Sequence, residues 1–202
     1  MTLVKICGIR DPGGAGAAAG AGADLIGFHF CSSQRRVTPE AAREIADALE
    51  RRPRLVGVFI DPTEEEVAQV AAYVGLDVVQ LHGSEPPGFR SPRPVVKALK
   101  VRDGAVPEDG DWPDPILLDS WSEDQRGGTG RAWDWEAAAG LVGRRRVIVA
   151  GGLHPGNVGA VVRRLRPHGV DVSSGVESAV GVKDPDRVRA FVQAVRDADG
   201  EG

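Results

Sequence analysis

The 202-residue chain has few of the residues from which small stabilising sites are built. It contains two cysteines, Cys7 and Cys31, and four scattered histidines. Two cysteines do not make a disulfide framework, and the histidines do not show the spacing of metal ligands. We therefore expect neither a disulfide scaffold nor a structural zinc site.

Long apolar runs and an excess of positive charge are also missing. Apolar residues make up 42% of the chain, but no run approaches the roughly 18 residues that span a bilayer. Met1-Thr2 leads directly into the first apolar segment, which predicts no signal peptide, no membrane contact and a cytoplasmic protein. The formal net charge of −4 argues against a nucleic-acid surface, and the basic run 144–146 lacks interleaved aromatic residues.

What is present is an alternation of short apolar segments with amphipathic ones. Four amphipathic segments have helical spacing, and proline marks their starts at Thr38-Pro39, Asp61-Pro62, His154-Pro155 and Asp184-Pro185. We expect Thr38, Asp61 and Asp184 to cap three of these helices. The five glycines of segment 11–22 predict a loose helix. The connections after the fourth and fifth apolar segments predict one short helical turn each. The eight apolar segments predict strands at 3–7, 24–30, 54–60, 78–81, 95–100, 116–119, 146–150 and 170–172.

This alternation favours a closed parallel barrel. Strands that alternate with helices form a parallel sheet with right-handed crossovers, and (β/α)8 barrels begin near about 200 residues. A doubly wound open sheet would carry a Gly-x-Gly-x-x-Gly fingerprint after its first strand, which Cys7-Gly8-Ile9-Arg10 does not match. Because no linker or composition shift is present, we expect residues 1–202 to form a single (β/α)8 TIM-barrel catalytic domain.

The ends of the predicted strands carry the candidates for chemistry. Lys5 and Cys7 share one face of the first strand, and Cys7 lies at the C-terminal end, where barrels place their catalytic residues. Taken alone, each candidate also has a structural interpretation, such as a solvated charge or a strand-end hydrogen bond. The residues that converge on this face are Cys7, Arg35, Gln80, His82, Asp119, Gly151, Gly152, Ser173, Ser174 and Gly175.

The last two predicted strands give a more specific signal. The seventh runs into Gly151-Gly152, and the eighth runs into Ser173-Ser174-Gly175. In barrels of this type, the loops after strands seven and eight bind phosphate through backbone N–H groups and small hydroxyl groups. We therefore expect a phosphorylated substrate. The segment Gly127-Gly128-Thr129-Gly130 is interpreted either as a mobile cover over that substrate or as a plain surface loop.

Four stretches, read together, resemble the phosphoribosylanthranilate isomerases of tryptophan biosynthesis. The resemblance runs from Lys5 to about Asp184 and implies a barrel enzyme without a cofactor. It further implies an Amadori rearrangement of a phosphoribosyl amine, with Cys7 as general base and Asp119 as general acid. The stretches are Lys5-Ile6-Cys7-Gly8-Ile9, Gln80-Leu81-His82-Gly83, Leu117-Leu118-Asp119-Ser120 with the glycine-rich segment that follows it, and the run from Asp171 to Glu177.

One stretch departs from the family pattern. The family usually has Ser-Pro-Arg after its second strand, whereas this chain has Ser33-Gln34-Arg35-Arg36. Arg35 keeps its place relative to Ser33 and Val37, so the resemblance assigns it to the anthranilate carboxylate, with Arg36 as the fallback. A guanidinium fork meets a planar carboxylate bidentately.

The rearrangement places opposite demands on the two catalytic residues. Opening the ribose ring needs a protonated Asp119, which burial near other negative charge favours. Removing the C2′ proton needs a thiolate at Cys7, and we expect Lys5 on the same strand face to lower the pKa of that thiol.

Other functions are open at this point. A Schiff-base lyase or aldolase would use Lys5, Lys97 or Lys100 as its nucleophile. An inactive phosphosugar-binding barrel would bind ligand without turning it over. A dual-substrate isomerase that also serves histidine biosynthesis typically carries an aspartate at the position of Cys7. The expected partner is a small phosphoribosyl substrate, and both a monomer and a homodimer are compatible with the sequence.

Overall fold

The computed structural model describes residues 1–102, 105–108, 110–120 and 134–201. Eight parallel strands close into a barrel in chain order, β1 to β8. The eight strand predictions and the (β/α)8 barrel are confirmed, because each boundary lies within about one residue of its predicted place. The strands are β1 (Leu3–Cys7), β2 (Leu25–His29), β3 (Arg54–Phe59), β4 (Val78–Leu81), β5 (Val95–Val101), β6 (Ile116–Ser120), β7 (Val147–Val149) and β8 (Gly169–Val172).

Helices surround the barrel. None of those described is long and apolar enough to cross a membrane. The helices are α1 (Pro12–Ala21), α2 (Pro39–Asp47), α3 (Glu64–Val74), α4 (Ala139–Val142), α5 (Val158–Leu165) and α6 (Pro185–Gly200). Shorter elements are the 3₁₀ turns Trp135–Ala138 and Ser174–Val176 and the small antiparallel sheet of β9 (Glu177–Ala179) and β10 (Val182–Lys183).

Side-chain caps decide where several helices begin. Thr38 and Asp184 cap α2 and α6 as predicted: Thr38 accepts one backbone N–H group of the first turn, and Asp184 accepts two. The predicted cap of α3 was wrong, because Thr63 rather than Asp61 caps that helix. Asp61 has a φ of 48°, and its carboxylate accepts the Ser84 N–H from the next loop instead.

Two other helices differ from the sequence expectation. Helix α1 is regular rather than loose: Asp11 caps its start, and Gly22 ends it in the left-handed conformation. Its small residues, such as Ala15 and Ala18, are fully buried, so tertiary packing outweighs the low helix propensity of its glycines. His154-Pro155 lies in a turn ahead of α5, which begins at Val158.

No described residue after β4 or β5 is helical before the next strand, so the two helical turns predicted there are wrong. The loop after β4 is held instead by Glu85, whose carboxylate accepts the N–H groups of Asp61 and Gly83. It also pairs with Lys97, with Nζ and Oε2 2.5 Å apart. Trp112 covers that ammonium, 5.2 Å from the ring centroid. A buried ion pair and an aromatic ring therefore cover the barrel where helices would otherwise pack.

The core has two layers. One lies between the strands and the helices, and the other fills the barrel interior. Because side chains alternate along a strand, the same inward face that carries the interior core continues into polar residues toward the C-terminal ends. The interior core consists of Leu25, Val56, Val78, Val96, Ala98, Leu117, Ile148 and Ala150.

Candidate active site

The C-terminal mouth of the barrel brings most of the predicted site residues together. Arg35 reaches the mouth from the loop after β2 and packs over Gly8. The segment Gly127–Gly130 lies outside the described residues. Those placed at or just after strand ends are Cys7, Gln80, His82, Asp119, Gly151, Gly152, Ser173, Ser174 and Gly175.

A buried ion pair lies beside the predicted base. Lys5 and Asp171 are opposite each other across β1 and β8, and the Lys5 Nζ donates to Asp171 Oδ2 at 2.9 Å. Burial alone would lower the pKa of Lys5, but the negative charges of Asp171 and Cys7 raise it overall. Lys5 is therefore a fixed cation at the barrel interior.

The pKa of Cys7 is raised overall, so the expected lowering was wrong, although Lys5 itself acts in the predicted direction. Burial is the largest cause and Asp171 adds to it, while Lys5 and Lys183 act in the opposite direction. The reason is that burial outweighs the positive charge of Lys5, which Asp171 offsets in part. A thiolate at Cys7 needs further support from its surroundings.

His29 gives the sulfur a direct partner. Its Nε2 lies 3.3 Å from Cys7 Sγ, and its Nδ1 lies 3.0 Å from Ser33 Oγ. Burial, followed by the nearby Lys5 and Arg35, lowers the pKa of His29 to about 3, so the imidazole is neutral. We did not single out His29 in the sequence, although it lies on the inward face of β2.

Gly27 makes room for the thiol. It is opposite Cys7 in the register of β1 and β2. A methyl group on Gly27 would lie 2.8 Å from Cys7 Sγ and 3.2 Å from Lys5 Cε. Only glycine therefore allows both side chains to point into the barrel at this level.

Asp119 has the environment expected of a general acid. Burial and the negative charge of Asp171 raise its pKa to about 6, against weaker opposing effects. At pH 7 about a tenth of the side chain is therefore protonated. Asp171 Oδ1 is buried without a hydrogen-bond partner among the described residues, so the charge of that carboxylate is only partly compensated. The sequence motif contained Asp171, but its role depends on neighbours distant in the chain.

Arg35 is held by a buried acidic residue that we did not predict. Its Nε and Nη2 donate to the two carboxylate oxygens of Glu177, both at 2.7 Å. The Lys183 Nζ also donates to Glu177, at 2.8 Å. Burial alone would raise the pKa of Glu177, but Arg35 and Lys183 lower it to about 2. The remaining nitrogen of Arg35, Nη1, has no partner within the described ranges and is free to meet a ligand.

The predicted phosphate end is built from two turns that touch. Gly151 and Gly152, with φ of 83° and 67°, connect β7 to the turn before α5. A methyl group on Gly175 would lie 1.9 Å from the Leu153 carbonyl oxygen, so the two turns approach only because residue 175 is glycine. Lys183 reaches the same place and donates to the Ser173 carbonyl at 3.1 Å. Small residues, backbone N–H groups and a cation suit an anionic ligand.

Gln80 and His82 form a neutral pair on the other side of the mouth. Their Nε2 atoms lie 2.5 Å apart. Burial, followed by the positive charge of Lys5, lowers the pKa of His82 to about 3. The pair therefore offers hydrogen bonds rather than charge to a ligand.

Two of the lysines considered for Schiff-base chemistry are unsuited to it. Lys5 is protonated and paired with Asp171, whereas a nucleophilic amine must be neutral. Lys97 alternates with the interior residues Val96 and Ala98, so it lies on the outer face of β5, where it is bound to Glu85 under Trp112. The described residues contain no group of three or more His, Cys, Asp or Glu side chains arranged to hold a metal ion.

Comparisons with known proteins agree with this geometry. The family model for N-(5′-phosphoribosyl)anthranilate isomerase matches residues 4–194. The enzyme of that name from Rubrobacter xylanophilus is 49% identical, and the match covers 97% of this chain and all of the relative. The crystal structure of phosphoribosyl anthranilate isomerase from Thermus thermophilus is 41% identical with a TM-score of 0.87, covering 97% of this chain and 99% of that one.

Two further solved structures cover 98% of this chain and 100% of their own, each at 35% identity and a TM-score of 0.82. One is a phosphoribosyl anthranilate isomerase in complex with reduced 1-(o-carboxyphenylamino)-1-deoxyribulose 5-phosphate. The other consists of monomers generated from the dimeric isomerase of Thermotoga maritima. By family model, sequence identity over its whole length and fold, this chain belongs to the N-(5′-phosphoribosyl)anthranilate isomerase family.

Proposed function

We propose that Cys7 and Asp119 are the base and the acid with which this chain isomerises N-(5′-phosphoribosyl)anthranilate in tryptophan biosynthesis. The product is 1-(o-carboxyphenylamino)-1-deoxyribulose 5-phosphate. The observation that carries the proposal is that both side chains lie at one barrel mouth and respond to the same pair, Lys5 and Asp171. The same two charged groups therefore act on both side chains, although the two environments differ.

The first step is ring opening by Asp119. Its carboxylic acid gives a proton to the ribose ring oxygen, the C1′–O bond breaks, and the nitrogen lone pair forms a C1′=N⁺ bond. The raised pKa of Asp119, about 6, keeps enough of the acid form available near neutral pH for this transfer.

The second step is removal of the C2′ proton by Cys7. The thiolate forms an S–H bond, and the electron pair of the C2′–H bond becomes a C1′=C2′ double bond while the nitrogen recovers its lone pair. The resulting enaminol becomes the ketone when its C2′ hydroxyl loses a proton and C1′ gains one. The sequence balances with proton transfers alone, so the proposal requires neither a cofactor nor a metal.

Each end of the substrate meets a different part of the mouth. The phosphate fits the turns at Gly151-Gly152 and Ser173-Ser174-Gly175, next to the ammonium of Lys183. The anthranilate carboxylate fits the free edge of Arg35, and Gln80 and His82 supply neutral hydrogen bonds between the two ends.

The direct test is turnover. Freshly made phosphoribosylanthranilate is mixed with the purified chain, and the loss of its fluorescence is followed. We expect turnover without added cofactor. Binding of the compound without any fluorescence loss would instead indicate an inactive phosphosugar-binding barrel.

Arg35→Lys tests the assignment of the carboxylate. A lysine ammonium cannot hold both carboxylate oxygens of Glu177 and still present the free N–H edge of Arg35 to the ligand, so we expect a higher KM for phosphoribosylanthranilate. Binding of inorganic phosphate should stay unchanged, because the turns after β7 and β8 hold it. Steady-state kinetics and phosphate inhibition measure the two quantities separately.

Arg36→Lys is the matched control, because Arg36 is the exposed neighbour on the same loop. It should change KM much less than Arg35→Lys does. Equal effects of the two substitutions, or a parallel loss of phosphate affinity, would show that Arg35 does not bind the carboxylate.

Cys31→Ser should leave kcat and KM close to those of the parent chain. Burial raises the pKa of Cys31 to about 11, and no proton transfer is assigned to it. A loss of activity in this variant as large as that expected for a Cys7 substitution would reopen the choice between the two thiols.

The proposal also includes the extent of the catalytic domain, its location in the cell and its oligomeric state. We propose that residues 1–202 work as one catalytic domain in the cytoplasm, as a monomer or a homodimer. A single barrel supplies all the site residues named here, so either state leaves the site complete. Light scattering of the purified chain distinguishes the two states, and cell fractionation tests the location.

A further inference from the structure

His29 touches the reacting sulfur, yet the acid–base scheme gives it no part. Its Nε2 is 3.3 Å from Cys7 Sγ, within reach of a hydrogen bond to sulfur. The side chain stands at the C-terminal end of β2, two residues after the glycine that makes room for the thiol. The proton of the neutral imidazole can be on Nδ1 or on Nε2, and only Nε2–H can donate to the sulfur.

The hydrogen bonds of Ser33 favour one of these two tautomers. Its Oγ accepts the backbone N–H of Arg35 at 3.1 Å and lies 3.0 Å from His29 Nδ1. Ser33 accepts from Arg35 and can donate its hydroxyl proton to Nδ1, while a Cys7 thiolate can only accept a hydrogen bond from Nε2. A neutral imidazole that accepts at Nδ1 carries its proton on Nε2, which faces Cys7.

The surrounding charges exclude the other arrangement, in which His29 removes the thiol proton and becomes an imidazolium. Burial and the neighbouring cations hold the pKa of His29 at about 3. A third positive charge beside Lys5 and Arg35 is therefore strongly unfavourable. His29 is suited to donate a hydrogen bond to a thiolate and is unsuited to take the proton from a thiol. The charged groups that face Cys7 and His29 are Lys5, Arg35, Asp171, Glu177 and Lys183.

We propose that His29 is a positioning residue for the general base, donating Nε2–H to the Cys7 thiolate in a tautomer that Ser33 sets. The inference rests on the proposed function of Cys7. The hydrogen bond from His29 would stabilise the Cys7 thiolate. Lys5 alone stabilises it too little, because burial and Asp171 offset the charge of Lys5. A hydrogen bond to the charged form lowers the pKa of an acid, and donation to a charged acceptor is stronger than donation to a neutral one.

The test is the pH dependence of thiol alkylation. In the Cys31→Ser background Cys7 is the only thiol, and the rate of iodoacetamide alkylation against pH gives its midpoint. His29→Leu should raise that midpoint by about one pH unit. His168→Leu is the matched control, since His168 precedes β8 at the opposite end of the barrel, and it should leave the midpoint unchanged.

A second measurement uses the unmodified chain. In NMR spectra of protein with ¹⁵N-labelled histidine, we expect His29 as the neutral Nε2–H tautomer, and Ser33→Ala should reduce that preference. An Nδ1–H tautomer or an imidazolium near neutral pH would overturn the proposal even if His29→Leu did not fold.

The outcomes separate this inference from the proposed function. Alkylation requires no substrate, so it tests the hydrogen bond between His29 and Cys7 independently of turnover. A shifted midpoint in a chain that does not isomerise phosphoribosylanthranilate would support this hydrogen bond but show that it has no role in catalysis. An unchanged or lower midpoint for His29→Leu, in a parent chain that turns over substrate, would overturn the role of His29 alone.

Discussion

Asp119→Asn should lower kcat/KM for phosphoribosylanthranilate by at least about 10²-fold, because the amide has no proton to give to the ring oxygen. The shape and volume of the side chain are kept, so the barrel should fold normally. Steady-state fluorescence kinetics measure the loss, and circular dichroism checks the fold. Near-normal turnover would show that another group opens the ring.

The same substitution should stabilise the protein. In the folded state the pKa of Asp119 is about 6, against an ordinary value of 3.8, so the folded chain binds the extra proton between these values. Ionisation above pH 6 therefore costs folding free energy, roughly 2–3 kcal/mol. At pH 8 the variant should be more stable to denaturant than the parent by about that amount, and the difference should shrink as the pH falls through 6 toward 3.8.

Asp114→Asn gives the matched control for both measurements. Asp114 lies at the opposite end of β6 and pairs with Arg145 at 2.8 Å. Burial alone would raise its pKa, but Arg145 and Arg146 lower it overall. Its ionised form is therefore stabilising above its ordinary pKa. The control should lose stability at pH 8 and keep its kcat/KM, opposite in both respects to Asp119→Asn.

Cys7→Ser should also reduce kcat by at least about 10²-fold. A serine hydroxyl has nearly the volume of the thiol but ionises at far higher pH, so the base at C2′ is lost while the packing against Gly27 remains. Single-turnover kinetics would show whether substrate still binds and then fails to react.

Cys31→Ser is the chemically identical control for this variant. Activity close to normal in Cys7→Ser, or a similar loss in both variants, would contradict the assignment of the base to Cys7. Equal thermal unfolding of both variants and the parent would exclude a fold defect as the cause.

The strands were predictable because the information that defines them is local. Each strand is a short apolar run, and in the barrel it pairs only with the strands next to it. The start of α3 was not predictable, because two possible capping residues, Asp61 and Thr63, lie two positions apart. Local preference does not choose between them. The choice depends on the bond from the Ser84 N–H to Asp61, which comes from the next loop.

The placement of the candidate residues was predictable, whereas their neighbours and their electrostatics were not. Position at a strand end was enough to place Cys7 and Asp119 at one mouth. Burial raises the pKa of Cys7, and Asp171, which approaches Lys5 from 166 positions away, adds to the rise. The partner of Arg35, Glu177, is 142 positions away. Charge effects of this kind depend on distances that no local pattern encodes.

The pairing of β1 with β8, which closes the barrel, also affects how the chain folds during synthesis. During synthesis the strand with Lys5 emerges first and the strand with Asp171 emerges last. Burying an ammonium without its partner costs several kcal/mol, so we expect β1 to stay unfixed until β8 has left the ribosome. Chains that end before residue 169 should be digested rapidly by protease and bind no phosphate. Cys7 and the turns proposed to bind phosphate would then reach their final positions in the same step, so a growing chain would not hold substrate that it cannot convert.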